Sequence, residues 1–288
     1  MRKYLSSLLL LILALSFVAC GPGPASKDPD NDQPGDGSTD TPEEVSVEEQ
    51  TLIDQDGIVI KATGLDSSWL GPELKVYIEN NTDKAFTVQT RNPSVNGFML
   101  EPVFSCDVMP GKKATGAITF AADDLEACGI DTITDLEFSF YIFNADSWNV
   151  ILESDIIVVK TSAANSHKQV YNSVGVILFD TEDITIVYLG MSEDPLGLAA
   201  NLYIENNSNE GITIQAMDTS VNGFMIEPAF ICDVMPGKRA LDTLLFYLDE
   251  LDACGIEKIT EIELNFHIIN LETWDTIIDT EKIKIEVE

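Results

Sequence analysis

Leu136-Glu137-Phe138-Ser139-Phe140-Tyr141-Ile142 sets an apolar side chain at every second position, and Ile262-Glu263-Leu264-Asn265-Phe266-His267-Ile268 does so again. A two-residue period places Leu136, Phe138, Phe140 and Ile142 on one face of a strand, with Glu137 and Ser139 on the other. That is the pattern of a strand buried on one side only. The two stretches lie 126 residues apart, and their surroundings repeat as well. Ser94-Val95-Asn96-Gly97-Phe98-Met99 returns as Ser220-Val221-Asn222-Gly223-Phe224-Met225, and Cys106-Asp107-Val108-Met109-Pro110-Gly111-Lys112 returns as Cys232-Asp233-Val234-Met235-Pro236-Gly237-Lys238. Residues 56–160 align with 182–286 without a gap, and about 45 of the 105 positions are identical.

The duplication sets the expected plan. Residues 1–19 form an export signal and 20–50 a tether. Residues 51–161 form the first repeat, 162–170 a linker and 171–288 the second repeat. Within the first repeat, strands are expected over Glu73 to Asn81 and over Lys84 to Gln89. Asn96-Gly97 suits a tight turn with positive φ at both central residues. Met109-Pro110-Gly111-Lys112 places Pro and Gly where a type II turn needs them. One helical turn interrupts the strands. Asp123-Asp124-Leu125-Glu126-Ala127-Cys128 starts with acids suited to capping and ends on Gly129, suited to a left-handed C-terminus. The second repeat has the same turn from Asp249 to Gly255.

Seven or eight short strands in roughly 110 residues, with turns every 8–12 residues, favour an all-β fold: two tandem antiparallel β-sandwiches of immunoglobulin-like (Ig-like) type, each with one short helical turn. The repeats resemble the uncharacterised Ig-like domains of extracytoplasmic lipoproteins in Gram-positive bacteria. The residues that carry the resemblance are Ile78-Glu79-Asn80-Asn81, Val95-Asn96-Gly97, Pro110-Gly111-Lys112-Lys113 and the Leu125 to Ile130 turn. It concerns architecture and brings no active site with it.

The N-terminus reads as a targeting segment. Arg2 and Lys3 precede an apolar run from Leu5 to Val18, shorter than the roughly 20 residues of a membrane span. Phe17-Val18-Ala19-Cys20 resembles a bacterial lipobox. That implies cleavage before Cys20, a diacylglyceryl group on its sulfur, and residence at the outer face of the cell membrane; the alternative is an ordinary secretory signal cut at Ala19. Two or more acyl chains would anchor the protein stably. Residues 21–50 carry nine acids and one lysine among Pro, Gly, Ser and Thr, a composition that does not bury enough surface to order itself. Asp28, Asp30 and Asp32 alternate as in a calcium loop, but Gln33 and Thr39 stand where such a loop needs glycine and an acid.

Four further cysteines fall in pairs 22 residues apart, Cys106 with Cys128 and Cys232 with Cys254. In an exported chain this predicts one disulfide per repeat. Buried thiols and thiolate metal ligands are the alternatives, though neither repeat supplies the histidines of a zinc site. His167 lies in the linker, and His267 replaces Tyr141.

The chain has 49 acidic and 16 basic residues, a formal net charge of −33. This argues against nucleic acid or anionic lipid as a partner of the repeats. No nucleophile–base set, phosphate loop, metal-ligand spacing or cofactor motif appears. The acids at Asp123, Asp124 and Glu126, and at Asp249, Glu250 and Asp252, suit a helix start better than a calcium site. Trp148 and Trp274 occupy equivalent positions between the last expected strands. Buried, they would close the ends of the sandwiches; exposed, they could stack on a sugar ring or a peptide. Trp69 has no counterpart, since Pro195 takes its place. Three functions fit: display of two modules for binding or spacing without catalysis, with a cell-envelope protein or glycan as a candidate partner; binding of a glycan or peptide; and hydrolysis by paired carboxylates.

Overall fold

A computed structural model describes residues 45–287. The first repeat contains β1 (Gln50–Gln55), β2 (Ile58–Ser67), β3 (Pro72–Asn80), β4 (Phe86–Val95), β5 (Phe98–Met99), β6 (Cys106–Val108), β7 (Lys113–Thr119), α1 (Ala122–Ala127), β8 (Asp135–Asn144), β9 (Val150–Glu153) and β10 (Ile157–Lys160). The second contains β11 (Val176–Asp180), β12 (Ile184–Asp194), β13 (Gly197–Asn206), β14 (Ile212–Val221), β15 (Phe224–Met225), β16 (Ile231–Val234), β17 (Arg239–Tyr247), α2 (Leu248–Ala253), β18 (Glu261–Asn270), β19 (Thr276–Asp279) and β20 (Ile283–Glu286). Among the described residues the chain is all-β, with ten strands and one short helix in each repeat.

The two repeats share one topology. In the first, β1-β2-β3-β7 form one sheet, while β4 and β8 centre another that includes β5, β6, β9 and β10. In the second, β11-β12-β13-β17 correspond to the first sheet, and β14 and β18 centre the other. Both sheets of the first repeat feed one core. Ile60, Leu74, Val76 and Ile78 come from one side, and Val88, Phe138, Phe140 and Ile142 from the other. The alternation of 136–142 is therefore the inner face of β8. The second core repeats the scheme with Ile186, Leu202 and Ile204 against Ile214, Leu264, Phe266 and Ile268. Each fully buried Leu, Ile or Phe contributes roughly 1.5–3 kcal/mol relative to exposure.

The turns form as their residues dictate. Asn96 and Gly97 both take positive φ (48° and 83°), as do Asn222 and Gly223 (50° and 83°). The Lys112 amide donates to Met109 O at 3.1 Å, with Gly111 at φ 66°. Helix α1 ends in a Schellman motif: Ile130 N donates to Leu125 O, Gly129 N donates to Glu126 O, and Gly129 takes φ 63°. Its start differs from expectation. The N-cap residues are Ala121 and, in α2, Tyr247, and neither helix has a side-chain cap. The acids Asp123, Asp124, Asp249 and Glu250 lie inside the first turn, where they complement the helix dipole.

The strand expected over 84–89 runs on to Val95. It passes a bulge between Arg91 and Ser94, where Asn92 adopts φ 51°; β14 does the same at Asp218. An asparagine or aspartate tolerates this left-handed geometry. The bulge returns Ser94 and Val95 to the interior and sets the direction of the Asn-Gly tip that follows.

The four cysteines are free thiols, and the expected disulfides are absent. Cys106 pairs with Val88 of β4. Cys128 belongs to the α1 turn, which Gln169 ties to Asn96 just beyond the far end of β4. Val88 and Val95 are about 20 Å apart along a strand, whereas a disulfide needs Cα atoms within about 7 Å. Cys232 and Cys254 sit in the same arrangement. Burial raises the Cys106 thiol pKa, and pushes that of Cys128 up to about 12. Burial and the Asp242 carboxylate raise that of Cys232. Thiols held protonated are poor nucleophiles and poor metal ligands. Cys20 lies outside the described residues.

Candidate binding surfaces

The tryptophan turns are built from the same parts in both repeats. In the first, Asn144 Oδ1 accepts from the amides of Asp146 (3.1 Å) and Ser147 (2.8 Å), and Trp148 N donates to Asn144 O at 2.9 Å. In the second, Asn270 Oδ1 accepts from Glu272 and Thr273, both at 2.9 Å, and Trp274 N donates to Asn270 O at 3.0 Å. The consequence is unusual for so large a side chain. Trp148 and Trp274 adopt φ 61° and 62°, a left-handed backbone that costs a non-glycine residue about 1–2 kcal/mol. Neither recovers that cost by burial, for their exposures are 73% and 65%. Trp148 stacks on Phe143 with ring centroids 5.2 Å apart, tilted by 12°. Trp274 has Ile269 at the equivalent place. Trp69, 93% exposed, sits on the β2–β3 connection of the first repeat alone.

The shared asparagines have structural work. Asn80 is fully buried and donates to Lys84 O and Val108 O, both at 2.8 Å. Asn206 repeats this with Glu210 O and Val234 O. Asn96 Oδ1 accepts from Thr134 N (2.7 Å) and Thr134 Oγ1 (2.9 Å), tying the tip to the start of β8. These residues hold turns and leave no polar group aimed at a ligand.

The second surface joins the repeats, and the linker belongs to it. The described residues fall in one compact unit. Residues 162–170 were expected to be a linker, yet Ala163 and Gln169 are buried. Gln169 bridges Asn96 and Gly129, and Tyr171 Oη donates to Asn96 O at 3.0 Å. The tip of the first repeat then docks on the edge of the second. Strand β5 pairs in parallel with β17 at Phe98 and Arg239, and Arg239 N donates to Gly97 O at 2.9 Å. Phe98 is 2% exposed, with its ring 6.4 Å from Tyr203 and 5.6 Å from Tyr171. The Arg239 guanidinium lies 3.8 Å from the Tyr171 ring centre and pairs with Glu205. Lys238 reaches Glu137 of the first repeat at 2.6 Å. Val187, Tyr203 and Leu241 of the second repeat pack against the first repeat's core, and Met99 packs against the second's. Burial and Asp233 of the second repeat raise the pKa of Glu101. Beside Phe98 a cleft of about 390 Å³ is lined by Glu126, Cys128, Val170, Leu189 and Leu241.

Sequence reasoning identified the tryptophans but missed this junction. Its signal was available: Val187, Leu189 and Leu241 stand where the first repeat has Lys61, Thr63 and Thr115. Among the described residues no cluster of three or more His, Cys, Asp or Glu is placed to hold a metal. His267 Nδ1 contacts Asp279 at 2.6 Å. No known protein family matches the chain, and no curated protein matches it in sequence.

Proposed function

We propose that this chain is a non-catalytic protein of the extracytoplasmic face of the cell membrane, anchored by lipid on Cys20. It displays two Ig-like β-sandwich repeats as one arm, and Trp148 and Trp274 are its contact residues for a cell-envelope glycan or protein. The supporting observation is the pair of tryptophan turns. Each holds a large aromatic ring in solvent on a strained backbone, and the feature occurs in both copies. Strain that burial does not repay is the kind of feature that binding sites retain. A ring face presented this way suits stacking on a sugar or on a peptide's flat groups. The acidic surface, net −18 over residues 171–288, favours a neutral or cationic partner.

Capture from cell-envelope material tests the reading. The wild-type chain should retain a glycan or protein that the Trp148→Ala, Trp274→Ala double variant loses. Because both side chains are exposed, the variant should keep its fold. Equal capture by the two proteins would remove the tryptophans from the site. The anchor is tested in the same cells: Cys20→Ala should release the protein to the medium, and undiminished membrane retention would refute the lipid.

A further inference from the structure

We propose that the Asn-Gly tip of the second repeat docks on the β7 edge of the first repeat of another copy of this chain, so that copies assemble head to tail. The chain already contains one such interface, between its own repeats. Its tip and the strand that receives it recur 126 residues away, where among the described residues they have no partner. The buried Phe98 becomes Phe224, 49% exposed, beside Met225 at 68%. The edge strand β17 becomes β7, which borders its sheet with no strand beyond it.

The receiving edge is preformed in both repeats. In the second, Tyr203 Oη donates to Glu205, which also pairs with Arg239. In the first, Tyr77 Oη donates to Glu79 at 3.0 Å, and Glu79 pairs with Lys113 at 3.3 Å. The contacts of the internal junction therefore translate directly. Phe98 against Tyr203 becomes Phe224 against Tyr77. Gly97 O accepting from Arg239 N becomes Gly223 O accepting from Lys113 N. Lys238 with Glu137 becomes Lys112 with Glu263. Among the described residues Lys112 makes no ion pair, and Glu263 has only Lys282 at 3.5 Å.

Charge favours the pairing locally: Lys112, which begins this edge, meets Glu263, whereas Lys61, Lys75 and Lys113 already pair with Glu49, Glu73 and Glu79 of their own repeat. Lys61, Thr63 and Thr115 replace the apolar Val187, Leu189 and Leu241, and the linker's Gln169 and Tyr171 have no counterpart within the described residues. The contact between copies is thus more polar, weaker and more sensitive to salt than the internal one. Tip and edge lie toward opposite ends of a repeat. The tip follows the Val95–Leu136 pair and the edge begins near the Phe86–Asn144 end. A contact between unlike surfaces at opposite ends is heterologous and can be repeated from copy to copy.

Sedimentation and small-angle scattering of residues 21–288 at increasing concentration test this. At low salt the mass should grow in whole-chain steps and the longest dimension with it, up to roughly 1 mM protein. Phe224→Asp and Lys112→Glu should each weaken association about tenfold or more. Lys112→Glu combined with Glu263→Lys should restore it, since the swapped charges meet between copies. Circular dichroism confirms that each variant is folded. A monomer at every concentration, a dimer that grows no further, or a charge swap without rescue would overturn the proposal.

Discussion

Phe98 and Phe224 stand at the same place in two copies of one design, after the same Ser-Val-Asn-Gly, yet one is 2% exposed and the other 49%. Local structure is not the difference. Both follow an Asn-Gly turn of the same φ values, and both pair back onto a long central strand. What differs is what meets them. Phe98 has Tyr203, Tyr171 and the β17 edge; among the described residues no such edge meets Phe224. The lesson concerns how a duplicated β unit becomes one arm. The tip is constant, and specificity lies in the receiving edge. That edge is apolar in the second repeat, with Val187, Leu189 and Leu241, and polar in the first, with Lys61, Thr63 and Thr115. Internal docking is thereby made strong, and docking between copies is kept weak.

Truncating the two phenylalanines should give the largest contrast. Phe98→Ala opens a cavity in the junction and should cost about 3–5 kcal/mol by denaturant unfolding. Phe224→Ala should cost under about 1 kcal/mol, as surface changes do. In Phe98→Ala the Arg239 amide, which donates to Gly97 O, should also lose its protection against hydrogen exchange. Similar costs for the two variants, or undisturbed protection at Arg239, would mean that the repeats fold and dock independently of this ring.

The same contrast explains how far the sequence could be read. The buried faces of β3, β8 and β18, the Asn-Gly and Pro-Gly turns and the glycine ends of both helices were legible, because each depends on neighbours along the chain. The tryptophan sites were legible because the copies agree on them. Exposure of those residues was not, since an aromatic between strands is more often buried. The disulfides were misread because spacing along the chain says nothing of distance between strand positions. The junction was missed because residues 162–170 read only as a linker. Gln169 and Tyr171 become ordered only by finding Asn96, 73 and 75 positions away.

A second pair of equivalent positions should separate the repeats by pH. Gly116 of β7 lies under Phe104, whose ring would sit 3.1 Å from a Cβ placed there. The second repeat has Asp242 at this place, next to Cys232. Burial raises the Asp242 carboxyl above its ordinary range, opposed by the Thr243 amide and the Cys232 thiol. The folded protein therefore holds a proton there more tightly than the unfolded chain. Its contribution to stability is full at low pH and is lost as pH rises through the folded pKa. Asp242→Asn should gain on the order of 1 kcal/mol at neutral pH, and the gain should shrink as pH falls. Gly116→Asp should destabilise the first repeat, since the added carboxylate meets Phe104 and has a raised, desolvated thiol nearby. An Asp242→Asn gain that is flat with pH would show that the carboxylate is not strained in the fold.

The smallest contrast is between the tryptophans, and it turns on sign. Both pay for a left-handed backbone that glycine adopts freely. Trp274 has no aromatic platform, so Trp274→Gly should relieve strain and stabilise by up to about 1 kcal/mol, after the greater freedom of glycine in the unfolded chain is set against it. Trp148 also stacks on Phe143, a contact worth about 0.5–1.5 kcal/mol. Trp148→Gly should therefore be neutral or slightly destabilising. Trp148→Gly with Phe143→Ile, which copies the second repeat, should recover the stabilising sign relative to Phe143→Ile alone. If Trp274→Gly destabilised instead, the ring would be contributing contacts within its own repeat, and its position would need no ligand to explain it.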